Sequence, residues 1–172
     1  MILRNLVKVS VFLSLAILLI CCAANSGSSV SATAKGAPVT GESGCVAVGG
    51  TILTNFGAID ANTTMGSATG DLRGAVSGTL LGAPQPGPGS TVVFHVQHHW
   101  VTEAGETLFF DPATATTVPL SPTLFAIVTY PVHLTGGTGK FFGANGDLTG
   151  IGEVDLVKGT VFRYGGQVCY GE

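Results

Sequence analysis

The chain has 172 residues, enough for one folded domain, and a net charge of -3 at neutral pH. It contains no cluster of basic residues, and neutralisation of phosphates by such clusters supplies most of the affinity for nucleic acid, so we expect no nucleic-acid partner. Glycine is frequent, with 26 residues, and charged residues make up only 10% of the chain. This composition predicts strands joined by many turns rather than helices.

Residues 1–24 have the three-part pattern of a secretory signal peptide. Arg4 and Lys8 are basic, residues 9–20 are almost entirely apolar, and small residues follow. The apolar run is shorter than the ~20 residues that span a bilayer, which favours cleavage over a retained anchor and predicts no transmembrane span after processing. The predicted location is therefore secreted or periplasmic. Lipid anchoring through Cys22 stays open as an alternative, because bacterial lipoproteins are cut before a cysteine that then carries lipid.

A tether and one domain with two cysteines are predicted after the signal peptide. Residues 25–43 are rich in Ser, Gly, Ala and Thr without an apolar period, which predicts a flexible tether. The folded domain is predicted over residues 44–172, a length that can bury a core. Its cysteines, Cys45 and Cys169, lie near its two ends. Two cysteines in an oxidising compartment can pair, so we predict a disulfide between the first and last strands, with two buried free thiols as the alternative.

Short alternating apolar runs, separated by glycine and proline, predict antiparallel strands within this domain. The predicted strands are 50–56, 71–81, 91–102, 107–110, 123–130, 132–135, 147–157 and 160–170. Irregular connections are predicted over Ala83–Gly89 and Asp111–Pro122. Alternation gives several of these strands one buried and one exposed face around a single core. The predicted fold is all-β, a single antiparallel barrel of roughly eight strands, and a sandwich fits the pattern almost as well.

One segment, Gly136–Gly146, reads GGTGKFFGANG. It resembles the GGTGRFAGATG segment of the allene oxide cyclase-like and dirigent-like barrel proteins, and a looser resemblance extends over residues 49–170. The glycines allow a tight turn with positive φ, and Phe141 and Phe142 are both expected to plug the barrel. The segment lacks the spacing of a phosphate-binding loop and the hydroxyl residue that would follow Lys140, so nucleotide binding is not expected.

The resemblance implies an eight-stranded barrel with an apolar cavity. The plant enzymes of this family bind hydrophobic, oxygenated small molecules and direct cyclisation or radical coupling without a cofactor. No catalytic acid or cavity residue of those enzymes matches this chain one for one, so the resemblance carries the fold and not the reaction. On this basis we expect no cofactor.

Three histidines, His95, His98 and His99, lie on the predicted strand 91–102. Alternation places His98 on the opposite face from the other two. His95 and His99 share a face but are about 13 Å apart along a strand, too far to bind one metal ion. No metal site is therefore expected.

The more apolar face of this strand is expected to line the lumen of the barrel. The predicted ligand-binding residues are Phe94, Trp100, Tyr130, Phe162 and Tyr164. His98 on the same face, and Asp111 at the end of an apolar strand, are the candidate catalytic residues that would handle a proton. The competing interpretations are that the predicted ligand-binding residues only pack the core and that Asp111 only caps a turn. The glycines expected to leave room for a ligand on the facing strands are Gly74, Gly78, Gly150 and Gly152.

Together these patterns predict an exported, cofactor-independent barrel that binds a small hydrophobic molecule, with a cyclase or isomerase activity implied by the resemblance. The competing function is a structural or interaction protein whose barrel is filled by side chains. Cavity volume separates the two, since a carrier or enzyme of this kind needs ~300 Å³ or more. Neither the ligand nor the oligomeric state is predicted.

Overall fold

Eleven strands and one short 3-10 helix make up the computed structural model, which describes residues 44–171. The strands are β1 (Cys45–Phe56), β2 (Thr63–Ala68), β3 (Gly74–Leu80), β4 (Gln85–Pro86), β5 (Val92–Thr102), β6 (Thr107–Phe110), β7 (Ala113–Pro119), β8 (Leu124–Thr129), β9 (Pro131–Gly137), β10 (Asn145–Asp155) and β11 (Gly159–Cys169). The 3-10 helix, Gly139–Phe141, lies between β9 and β10. Within the described residues no helix is long and apolar enough to cross a membrane. The predictions for the signal peptide, the tether and Cys22 fall on residues 1–43, outside the described part of the chain.

The strands close into an antiparallel barrel. β11 pairs with β1 over ten residue pairs, from Cys45–Cys169 to Thr54–Thr160, and this pairing joins the two ends of the sheet. β6 and β7 lie one after the other along β5, and β8 and β9 lie one after the other along β10. Each of these two pairs fills one position in the barrel, and the two-residue β4 only flanks β5. The barrel thus has eight strand positions, and the predicted fold class is confirmed.

Two prolines account for the interrupted strands. Pro112 lies between β6 and β7, and Pro131 opens β9 directly after Tyr130. Proline has no N–H to donate to a ladder, so regular pairing breaks at each point. On one side of the breaks β6 pairs with β9, and on the other side β7 pairs with β8. The second break leaves Tyr130 between two strands, where its side chain is buried.

The sequence prediction omitted β2 and assigned β7 to an irregular connection, and both assignments were wrong. Both strands face the interior mainly with small residues. These are Thr64, Gly66 and Ala68 in β2, and Ala113 and Ala115 in β7. Without large apolar residues the alternation that signals a strand is weak, although the backbone pairs on both sides in the barrel.

Two clusters of buried side chains fill much of the barrel. One cluster lies around Trp100 and the fully buried Phe141, and the other contains Phe94, Phe125 and Phe162. Phe142, which was expected to plug the barrel beside Phe141, is instead 81% exposed. The physical reason is that the 3-10 helix ends at Phe141 and the backbone becomes extended at Phe142, so the two rings do not point in the same direction.

The base of the barrel, defined here as the end with the Cys45–Cys169 disulfide and the 3-10 helix, is closed by side chains. The predicted disulfide is confirmed, and it joins directly paired residues of the first and last strands. Nε1 of Trp100 donates to the carbonyl oxygen of Leu72 at 2.7 Å, and the N–H of Leu72 donates to the hydroxyl oxygen of Tyr164 at 3.0 Å. These hydrogen bonds hold the turn between β2 and β3 across the base.

Candidate functional site

An internal cavity of about 80 Å³ lies in the lumen of the barrel. The walls are almost entirely apolar. The residues from the sequence prediction that line the cavity are Phe94, His98, Trp100, Tyr130, Phe162 and Tyr164.

The cavity leads toward the mouth of the barrel, the end at which β1 and β3 finish. Phe56 and Leu80 are the last residues of those strands; both line the cavity and both are part-exposed. The base is sealed by Phe141, which is fully buried and contacts the Tyr170 ring, with ring centroids 5.6 Å apart. A ligand would therefore enter through the mouth.

The alternation of β5 brings one of its three histidines into the lumen. His98 lines the cavity, between the buried Val96 and Trp100, whereas His95 and His99 are exposed on the outer face. Over residues 44–171 no group of three His, Cys, Asp or Glu side chains comes close enough to hold a metal ion. Among the histidines of β5, His98 thus lies alone in the lumen.

Only two of the four expected glycines border the cavity. Gly78 and Gly150 line it, and a methyl group added at Gly150 would come within 2.9 Å of the Tyr130 ring. A methyl group added at Gly74 or Gly152 would instead collide with the backbone of the neighbouring strand. The expectation that Gly74 and Gly152 leave room for a ligand was therefore wrong, because these two positions allow close approach of strands.

The polar centre of the cavity is a hydrogen-bonded pair formed by His98 and Tyr130. The Tyr130 hydroxyl oxygen lies 2.7 Å from Nε2 of His98. Nδ1 of the same ring faces β3, 3.8 Å from the place where a methyl group on Gly78 would lie, and the Ser77 backbone beside it acts to raise the pKa of His98, as an accepting carbonyl oxygen does. We therefore assign the imidazole N–H to Nδ1, so that Nε2 accepts the hydrogen of Tyr130. The pair is also held by ring contacts, since the His98 ring lies 5.9 Å from Phe110 and the Tyr130 ring 5.8 Å from Phe162, between centroids.

Burial keeps both members of this pair uncharged near neutral pH. Loss of solvation in the apolar lumen lowers the pKa of His98 from 6.5 to about 4, and the hydrogen bond to the Ser77 backbone offsets only part of that effect. The same loss of solvation raises the pKa of Tyr130 well above its usual value. General acid–base catalysis works best when the pKa of the catalytic group lies near the working pH. Without a ligand, this pair suits hydrogen bonding better than proton transfer.

A second polar group in the lumen was missed by the sequence analysis. Thr54 and Thr160, which are paired residues of β1 and β11, join their hydroxyl groups at 2.6 Å and line the cavity. Thr64 lies on the same wall and donates to the carbonyl oxygen of Gly78 at 3.3 Å. The sequence did contain a pattern that predicts this position for Thr160. Alternation along β11 places Thr160 on the same inward face as Phe162.

Trp100 and Tyr164 present ring surfaces to the cavity but use their polar atoms elsewhere. The Trp100 N–H is taken by Leu72, and the Tyr164 hydroxyl donates to the carbonyl oxygen of Thr69 at 2.9 Å. Both partners belong to the turn at the base of the barrel. These two aromatic residues therefore shape the floor of the cavity, and the His98–Tyr130 pair is left as its polar centre.

Asp111 does not lie in the cavity. It is exposed at the break between β6 and β7 and lines a shallow groove on the outside of the barrel, together with His133 and Asp147. Its backbone N–H donates to the carbonyl oxygen of His133 at 3.1 Å. The expectation that Asp111 acts as an acid inside the lumen is corrected by this position, because β6 ends at Phe110 and Asp111 lies exposed at the break that Pro112 makes before β7.

Comparison with known proteins gives no relative for this chain. No family model matches it, and neither does any curated protein or any solved structure. The functional argument therefore rests on the lumen and its side chains.

Proposed function

We propose that this protein is an exported barrel that binds one small hydrophobic molecule in its lumen, without a cofactor. The observation that carries this proposal is the apolar cavity, which contains the hydrogen-bonded His98–Tyr130 pair and leads to a mouth. Ligand sites are typically apolar hollows with a few polar groups that orient the ligand. The eight-stranded barrel and the GGTGKFFGANG segment support membership of the allene oxide cyclase-like barrels, and the disulfide fits an oxidising, extracytoplasmic compartment.

The volume restricts the ligand to a small or slender molecule. An apolar protein cavity of ~150 Å³ holds a benzene molecule, and the present cavity has about 80 Å³. A ligand would place a few non-hydrogen atoms inside the cavity and extend the rest toward Phe56 and Leu80 at the mouth. At about -1 kcal/mol for each enclosed atom, we expect dissociation constants of roughly 0.1 to 1 mM for small probes.

A cyclase or isomerase activity would come from holding a reactive ligand in one shape, since positioning alone accelerates such reactions. The neutral His98–Tyr130 pair would orient the ligand through a hydrogen bond. With the pKa of His98 lowered to about 4, the imidazole is a weak base at neutral pH, so binding is better supported than catalysis by proton transfer.

The test is a titration with 1-hexanol followed by the fluorescence of Trp100, the single tryptophan, whose ring lines the cavity. We expect saturable binding that the Gly78→Ala variant weakens several-fold, because its methyl group would occupy the cavity near Val96 and His98. Gly165→Ala is the matched control, because Gly165 also lies inside a strand and a methyl group there would meet only the Val48 carbonyl oxygen, at 3.8 Å. Equal binding by both variants, or no saturation in the native protein, would contradict the proposal.

The competing function, a structural or interaction protein with a filled barrel, is favoured by one observation. The cavity of about 80 Å³ is well below the ~300 Å³ expected of a carrier or enzyme. The same titration decides between the two, because a filled barrel would take up no probe. It would also show no difference between the Gly78→Ala and Gly165→Ala variants.

A further inference from the structure

The His98–Tyr130 pair can accept a further hydrogen bond from a ligand in the cavity but has no hydrogen left to donate. The single hydrogen of the Tyr130 hydroxyl group is directed to Nε2 of His98 at 2.7 Å. In the assigned tautomer both imidazole nitrogens are directed to protein groups, because Nε2 accepts from Tyr130 and the Nδ1–H faces β3 beside Gly78 and the Ser77 backbone. The Tyr130 oxygen has given away its hydrogen but can still accept one. The pair therefore offers an acceptor to a ligand and no donor.

We propose that the ligand is a neutral molecule with a hydroxyl or N–H group that donates to the Tyr130 oxygen; this inference rests on the proposed function. A ligand with only a carbonyl or ether oxygen would compete with His98 for the one hydrogen of Tyr130. One of the two acceptors would then remain unpaired among apolar side chains, which is unfavourable. A cationic ammonium donor is disfavoured because the cavity has no carboxylate among its lining residues to compensate a buried charge.

This chemistry selects among oxygenated molecules of equal size. A primary alcohol and its isomeric ether contain the same atoms, but only the alcohol can donate a hydrogen bond. Both carry an acceptor oxygen, so donors elsewhere in the lumen, such as the Thr54–Thr160 pair, are open to both molecules. A difference in affinity between the two then reports a hydrogen-bond acceptor in the lumen, and its loss in a variant that frees the Tyr130 hydrogen assigns that acceptor to Tyr130.

The experiment compares 1-hexanol with methyl pentyl ether on the full domain with its disulfide intact, using Trp100 fluorescence and competition between the two probes. For the native protein we expect the alcohol to bind about fivefold more tightly, the effect of one net hydrogen bond. In the His98→Leu variant the Tyr130 hydrogen is released from its acceptor and becomes available to the ether oxygen. The preference for the alcohol should then fall to twofold or less. His99→Leu, on the exposed face of the same strand, should keep the native preference.

The outcomes separate this inference from the proposed function. Equal or tighter binding of the ether by the native protein would overturn the donor requirement while leaving the lumen a binding site. Failure of both probes to bind up to their solubility limits would overturn both proposals. The comparison in the native protein decides the matter even if His98→Leu does not fold. If that variant folds and keeps the fivefold preference, the assignment of the Tyr130 hydrogen to His98 is wrong.

Discussion

The buried imidazole of His98 should make the stability of the barrel depend on pH in a defined range. In the folded protein the pKa of His98 is lowered from 6.5 to about 4. Between these two values the unfolded chain binds a proton that the folded protein does not, so acidification favours unfolding. The stabilisation is fully present above pH 6.5 and is lost as the pH falls to about 4. The difference between the two pKa values corresponds to about 3 kcal/mol of unfolding free energy, since one pKa unit is worth 1.36 kcal/mol.

The measurement is urea unfolding of the native protein and of His98→Gln at pH 7 and at pH 4.5. Glutamine cannot be protonated in this range, yet its side chain can still accept a hydrogen bond from Tyr130. We expect the native protein to lose roughly 2 to 3 kcal/mol more than the variant over this interval. His99→Gln, at an exposed position of the same strand, should behave like the native protein. An identical loss in the native protein and in His98→Gln would refute the argument that His98 is buried as a neutral group.

Three further substitutions test the parts of the structure that enclose the cavity. Replacing Cys45 and Cys169 by serine should cost about 4 to 5 kcal/mol in calorimetry or urea unfolding, because the disulfide closes a loop with a sequence separation of 124. Phe141→Ala should cost about 3 to 5 kcal/mol, whereas Phe142→Ala, at an 81% exposed position, should change the unfolding free energy by less than about 0.5 kcal/mol. Tyr164→Phe should cost about 1 to 3 kcal/mol, because it removes the hydroxyl group that bonds the turn at the base.

The sequence predicted the barrel because its long strands carry strong alternation. In β5 and β11, large residues such as Phe94, Trp100, Phe162 and Tyr164 recur at every second position or nearly so, and the observed inward faces follow that parity. β2 and β7 were not recognised, because small residues occupy their inward positions. Where the partner strand lies close, a glycine or alanine fills the available space, and such residues carry no apolar signal.

The site was predicted only in part. The features that depend on one strand were predicted, and those that depend on contacts between distant residues were not. Parity along one strand was enough to orient His98 toward the lumen, and the aromatic residues of the predicted set line the cavity. The pairing of His98 with Tyr130 joins residues 32 positions apart, and no sequence pattern indicates that distance. The inward prediction for Phe142 failed because it depended on a single 3-10 turn, which alternation does not describe.

The cavity that Gly78 borders favours binding over simple packing. The backbone of Gly78 does not require glycine, since φ lies outside the left-handed region. A methyl group there would meet a Val96 methyl group at 3.3 Å, a tight contact, and Val96 can relieve it by moving a few tenths of an ångström because its side chain also borders the cavity. A cavity of about 80 Å³ costs about 2 kcal/mol at ~24 cal/mol per Å³, which a filled barrel would avoid. Gly78→Ala should therefore stabilise the protein by about 1 kcal/mol in urea unfolding while it weakens 1-hexanol binding, whereas Gly165→Ala should leave binding unchanged. If Gly78→Ala destabilises the barrel, glycine is needed there for packing, and the cavity is no longer evidence for a ligand.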